Sequence, residues 1–200
     1  MLSTKYYNEN AVDLARFYHS LDRSQVVPKE WGLTGANVLD FGCGAGADVL
    51  YMLERLASVT CYEPSHLVGS IFHKLHQNKS VLHNRDVLDI YTDYELLYKC
   101  LLEKAGTFHY VLCSAVFQHL TMSQQMAAIK LFAIALEPGG IATVSWRTDP
   151  YGDGDDRVHY DVDSLWLALY AKRNGFRVTW DHYTTDDRGV GFKTLTLQRR

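Results

Sequence analysis

The stretch "VLDFGCGAGADVL", residues 38–50, restricts the fold more than any other part of this chain. A short apolar run meets three alternate glycines, Gly42, Gly44 and Gly46, and passes into helix-forming residues. A strand that turns tightly into a helix sets backbone N–H groups and the helix N-terminus beside a ligand. The spacing is G-x-G-x-G. It is not the G-x-G-x-x-G of dinucleotide folds, whose last glycine lets helix and strand pack around a pyrophosphate.

The rest of the chain alternates in the same way. Apolar runs at 37–41, 58–63, 80–84, 109–114 and 141–146 are short and apolar on both faces, as buried parallel strands are. Helical periods separate them. Tyr94, Leu97, Tyr98 and Leu101 share one face, as do Ile129, Phe132, Ala133 and Leu136. Thr121 and Gln124 have the spacing of a capping box, and "EPGG" (137–140) should stop the helix that follows them. Asp161 or Asp163 can cap a later helix that ends at "RNG" (173–175), and two strands close the chain at 176–183 and 191–198. Five βα units and a terminal hairpin predict one doubly wound α/β domain over residues 1–200. Within it, 1–35 should form a helical cap, 36–147 the cofactor-binding core, and 148–200 a substrate loop, helix and hairpin.

Composition removes several classes of function. The net charge is −3 and the 20 Lys and Arg are scattered, which argues against direct nucleic-acid binding or an anionic membrane surface. No apolar run reaches membrane-spanning length, and "MLSTKYYNEN" lacks a signal-peptide core. Cys43, Cys61, Cys100 and Cys113 form no CxxC pair, so reduced thiols in the cytoplasm are expected.

Three acids then define the ligand. Asp40 stands at the end of the first strand, and Glu63, 21 residues beyond Gly42, at the end of the second. A carboxylate at Glu63 can accept both hydroxyls of a ribose. Asp86, with Val87 beside it, lies just beyond the expected third strand and suits an adenine amino group; Asp89 can serve instead. Ribose, adenine and an amino group, with no phosphate to neutralise, describe S-adenosylmethionine, which would leave as S-adenosylhomocysteine. Ser114 and Ala115, at the tip of the fourth strand, should line its methionine arm.

These segments resemble the class I, Rossmann-like S-adenosylmethionine-dependent methyltransferases, in particular small single-domain bacterial members. "VLDFGCGAG" is similar to their first motif and "YEPS" (62–65) to the acidic loop after it. "FHYVLCSAVFQHL" (108–120) is similar to the fourth-strand motif, and "LEPGGIATVS" (136–145) to the helix, turn and fifth strand. "YYNENA" (6–11) resembles their first helix, and His109 departs from the usual Asp. The resemblance implies a seven-stranded, mostly parallel sheet of order 3-2-1-4-5-7-6 with the last strand antiparallel.

Methyl transfer needs orientation, desolvation and sometimes a base. His119 is the candidate base, with helix packing as its alternative. Arg147 either holds an acidic group of the acceptor or is an ordinary loop arginine. The acidic loop 149–157 fails the calcium-loop pattern, because the twelfth position from Asp153 is Ser164, so no metal is expected. His159 and Tyr160 beyond it can enter the pocket if that loop closes. An amphipathic helix from about Glu9 to Leu21, with Ala11, Leu14, Ala15 and Tyr18 inward, is expected to act as a lid that brings Tyr7 to the cofactor. Neither an amino-methylating "NPPY" or "DPPY" nor a Pro-Cys nucleophile occurs at the fourth strand. A small-molecule acceptor is therefore favoured over RNA or a protein side chain reached with a partner, and over a non-catalytic regulatory module.

Overall fold

The computed structural model describes residues 2–21, 26–71, 88–150, 152, 157–186 and 189–200. Seven strands form one sheet of order β3-β2-β1-β4-β5-β7-β6. Six are parallel in sense and β7 runs against its neighbours β5 and β6. This is the predicted architecture. The backbone groups into two compact units, Met1–Cys100 and Leu101–Arg200.

In the first unit, β1 (Asn37–Phe41) pairs in parallel with β2 (Ser58–Tyr62), Val38 opposite Val59 and Phe41 opposite Tyr62. Val38, Leu39 and Cys61 are fully buried, which explains why these strands read as continuous apolar runs. The helix predicted over about 9–21 is α2 (Ala11–Ser20), and a further helix, α1 (Leu2–Glu9), precedes it. Asn10 divides them: its backbone N–H and its side-chain amide both donate to the Tyr6 carbonyl. After the glycine turn comes α3 (Ala47–Leu53), which buries Val49 and Met52.

The third strand corrects the sequence reading. β3 is Leu88–Tyr91, parallel to β2 with Val59 opposite Leu88. The predicted strand at 80–84 lies outside the described residues. Two apolar runs, "SVLHN" and "VLDIY", stand close together, and only pairing with β2 selects the second. α4 (Tyr94–Glu103) follows, with Leu97 and Leu101 fully buried.

In the second unit, β4 (Phe108–Cys113) pairs in parallel with β5 (Leu136–Arg147). Between them α5 (Met122–Ala135) starts at the predicted capping box: the Gln124 N–H donates to Thr121 Oγ1, and the Thr121 N–H donates to Gln124 Oε1 at 2.9 Å. "EPGG" does not separate helix from strand as expected. β5 begins at Leu136, and the four residues bulge out of the ladder, since Phe108 opposes Leu136 while Tyr110 opposes Ile141. Gly139 makes the excursion with φ +86. Asp163, not Asp161, caps α6 (Ser164–Arg173), accepting from the Trp166 N–H at 2.9 Å. β6 (Phe176–Thr185) and β7 (Gly191–Arg199) complete the hairpin. Phe117, Ile129, Phe132 and Phe176 are fully buried, each contributing about 1.5–3 kcal/mol of burial.

Candidate functional site

The glycine loop of the first unit is built from the backbone. The N–H groups of Gly42 and Cys43 both donate to the Tyr62 carbonyl, which ties the turn to the end of β2. Gly44 and Gly46 have φ +54 and +76, a region that favours glycine. They differ in what surrounds them. A side chain at Gly46 would collide with Ile71, whereas nothing lies within 4 Å of the place where a Gly44 side chain would start. One glycine serves packing and the other leaves a surface open.

Glu63 closes the loop. It is 8% exposed, and its carboxylate accepts the Gly44 N–H on Oε2 and the Ser65 N–H on Oε1, both at 2.9 Å. Each carboxylate oxygen has two lone pairs, so one amide donor on each fixes the group without exhausting its capacity to accept. Burial pushes the Glu63 carboxyl above its ordinary range, partly offset by the hydrogen bonds from Ser65 and Gly44. Its neighbours register the charge. The Cys43 thiol is raised by its hydrogen bond with Cys61 and by burial, then by the negative charges of Asp40 and Glu63. Burial pushes the Tyr62 hydroxyl up to about 12, and Glu63, Tyr94 and Asp93 add to it. Asp40 is buried at 2% exposure. A loop with two buried acids favours a cationic ligand over an anionic one.

The N-terminal helices pack on this loop with the predicted face. Tyr7, Ala11, Leu14 and Tyr18 surround a buried cluster of Ala15, Ala45 and Leu67, and Ala45 belongs to the glycine loop itself. The His66 N–H donates to Asn8 Oδ1 at 2.7 Å, a second tie that the sequence did not announce. Tyr7 is half-buried, edge-on to Tyr6. Asp86 and Val87 lie outside the described residues, and Asp89 is exposed in the middle of β3 rather than at its carboxyl end.

In the second unit the carboxyl ends of β4 and β5 carry the polar groups. Ser114 is half-buried just beyond β4, and Ala115 has φ +56 with its N–H donating to Ser145 Oγ at 3.0 Å. His119 is half-buried in a short 3-10 turn, Phe117–His119, its Nδ1 2.9 Å from the Val158 carbonyl. Arg147, the last residue of β5, is half-buried. Its Nε–H donates to the Asp149 carbonyl at 2.9 Å and its Nη2 to the Pro150 carbonyl at 3.3 Å, so the guanidinium braces its own loop. His159 Nε2 is 3.1 Å from the Arg147 carbonyl. Two histidines thus tie segment 158–159 to the strand ends.

A profile of the methyltransferase domain matches residues 13–183. The chain belongs to the methyltransferase domain family. Solved methyltransferases share the fold at low identity. The Burkholderia thailandensis 1,6-didemethyltoxoflavin-N1-methyltransferase, crystallised with 1,6-didemethyltoxoflavin and S-adenosylhomocysteine, superposes with TM-score 0.65 at 16% identity, over 100% of this chain and 91% of that one. The magnesium protoporphyrin IX methyltransferase of Synechocystis PCC 6803, with bound S-adenosylmethionine, gives 0.62 at 18%, over 97% and 80%. The [4+2]-cyclase SpnF gives 0.62 at 15%, over 96% and 80%. No curated protein matches the sequence.

The sequence of this methyltransferase domain singles out the loop, Glu63 and His119 as candidates but not the residues that hold them. Ser65 and Asn8 act through a backbone N–H and a side-chain carbonyl, for which no residue spacing is diagnostic. Gln118 carried a signal: it is a lone amide directly after the run "VLCSAVF", and it is 2% exposed. Among the described residues no group of three His, Cys, Asp or Glu is placed to hold a metal, and no helix is long and apolar enough to cross a membrane.

Proposed function

We propose that the protein transfers a methyl group from S-adenosylmethionine to a small-molecule acceptor and releases S-adenosylhomocysteine. One observation carries this reading: a buried carboxylate, fixed by the Gly44 and Ser65 amides, beside the open surface of Gly44. In that role Glu63 takes the two ribose hydroxyls, and Asp40 favours the positive end of the cofactor. The Gly44 surface admits the cofactor without a clashing side chain. α1 and α2 cover the loop and exclude water, with Tyr7 at the methionine arm. When bound, S-adenosylmethionine supplies a methyl group already activated by its sulfonium charge. The chain's own task is then to orient the acceptor and to take its proton. His119 takes that proton, Ser114 and Ala115 line the approach, and Arg147 meets an acidic acceptor once it leaves its loop carbonyls.

A small acceptor is supported by the low net charge and scattered cations, and by the toxoflavin and protoporphyrin enzymes that share the fold. The likeness to a [4+2]-cyclase is the specific reason to keep a reading without methyl transfer under test. S-adenosylmethionine labelled with a 13C methyl group, incubated with the protein and a metabolite extract, distinguishes them by mass spectrometry. The proposal expects S-adenosylhomocysteine and one small molecule heavier by the labelled methyl. Label in RNA or protein would replace the acceptor class. Tight binding with no S-adenosylhomocysteine formed would make the chain a binding module.

A further inference from the structure

Gln118 is almost completely buried, and a buried primary amide has two N–H donors and a carbonyl oxygen to satisfy. Its Oε1 accepts the Arg147 N–H at 3.3 Å. Its Nε2 donates to the Ala115 carbonyl at 2.6 Å and stands 3.3 Å from His119 Nε2. The orientation of the amide follows from these partners. Turned over, it would set an oxygen against the Ala115 carbonyl and an NH2 against the Arg147 N–H.

That orientation determines the ring of His119. A carbonyl only accepts, so the contact from Nδ1 to Val158 requires the proton on Nδ1. The contact from Nε2 is to an N–H of Gln118, so Nε2 presents its lone pair. Both ring nitrogens are thereby assigned from chemistry.

We propose that Gln118 is the positioning residue of His119, holding its imidazole as the neutral Nδ1–H tautomer with the Nε2 lone pair set for an acceptor's proton. The inference rests on the reading of His119 as the base. The opposite tautomer would carry its proton on the atom that must receive one. The hold is also releasable. The bond to Ala115 is short and the one to His119 is long, so an acceptor's O–H or N–H can replace the second without moving Gln118. Gln118 is itself held in place. The Tyr160 N–H donates to the backbone carbonyl of Gln118 at 2.7 Å, and Ala115, its strongest partner, is fixed by Ser145. The device thus spans β4, β5 and segment 158–160, and no motif in the sequence encodes it.

Ring-15N NMR of the full chain tests this directly. In the wild type at neutral pH, the His119 ring should show a protonated Nδ1 and a bare Nε2. Gln118→Glu puts an acceptor where the amide donated, so Nε2 should gain a proton. Its kcat should then fall about 10-fold or more, with the KM for S-adenosylmethionine little changed. Gln118→Met keeps the volume without the donors and should lose the fixed tautomer. An Nε2–H ring in the wild type, which needs no variant to fold, overturns the proposal, as does a Gln118→Glu ring identical to the wild type. His119→Asn separates the two readings. Full turnover there defeats the base reading whatever the ring spectra show, whereas an Nε2–H ring in an enzyme that needs His119 defeats only the role of Gln118.

Discussion

The glycine loop and the strand tips of the second unit solve the same problem, holding polar groups still, by opposite means. In the loop, backbone amides grip one carboxylate, and Gly44 and Gly46 supply conformations that other residues resist. At the strand tips, side chains grip backbone carbonyls: Gln118 on Ala115, His119 on Val158, His159 on Arg147. A backbone-built site demands particular residues at particular spacings. A network of side chains reaching for carbonyls can be met by many residue types, and so leaves no fixed spacing behind. The lesson is that a loop built from backbone can be read from such a sequence more readily than a network of side chains.

Substitutions at five positions break or sharpen this contrast, beginning with the largest effect. His119→Asn removes the proposed base and should lower kcat by roughly 100- to 10,000-fold, with cofactor affinity intact. Stopped-assay kinetics with calorimetric binding check it, and a loss of affinity of similar size would merge the two regions. Gly46→Ala drives a methyl group against Ile71 and imposes an unfavourable φ. A cost of about 2–4 kcal/mol in urea unfolding is expected. Gly44→Ala meets open space and should lose only the φ term in stability, roughly 1–2 kcal/mol.

Glu63→Ala should weaken cofactor binding by about 1.5–3 kcal/mol, the loss of two hydrogen bonds to a charged acceptor. Its pH dependence has a definite sign. Burial raises the folded-state pKa of Glu63, so its ionisation costs the cofactor-free fold stability as pH rises through that range. Ribose hydroxyls need the ionised form, so affinity should be full above the raised pKa and decline as pH falls through it, at a higher pH than an ordinary glutamate would give. Glu63→Gln should abolish that dependence in calorimetric titrations. The smallest effect is Thr121→Ala, which opens the capping box of α5 and should cost about 1 kcal/mol in stability. Binding and kcat should stay at wild-type values.

What the sequence made legible follows the same division. β1, the glycine turn and the Thr121 cap were readable, because local chemistry alone decides them, whereas Asp163 was one of two candidate caps. β3 was not, because two neighbouring apolar runs suit a buried strand equally and only long-range pairing chooses. The break between α1 and α2 contains neither glycine nor proline. It comes from Asn10 bonding back to Tyr6, a competition that propensity does not resolve. "EPGG" reads as a helix stop, yet it lies inside β5 as a bulge that depends on the register with β4. In the candidate site, Glu63 stands out by its distance from Gly42, whereas Gln118 and Ser65 become visible only through their partners.

The central claim is that Glu63, pinned by two amides, holds a ribose. A crystal structure with S-adenosylhomocysteine measures this directly. The account predicts both ribose hydroxyls within about 2.5–3.0 Å of the two Glu63 carboxylate oxygens, with the Gly44 and Ser65 amides still donating. A ribose bound elsewhere, with the Glu63 oxygens touching only their amides, would contradict it.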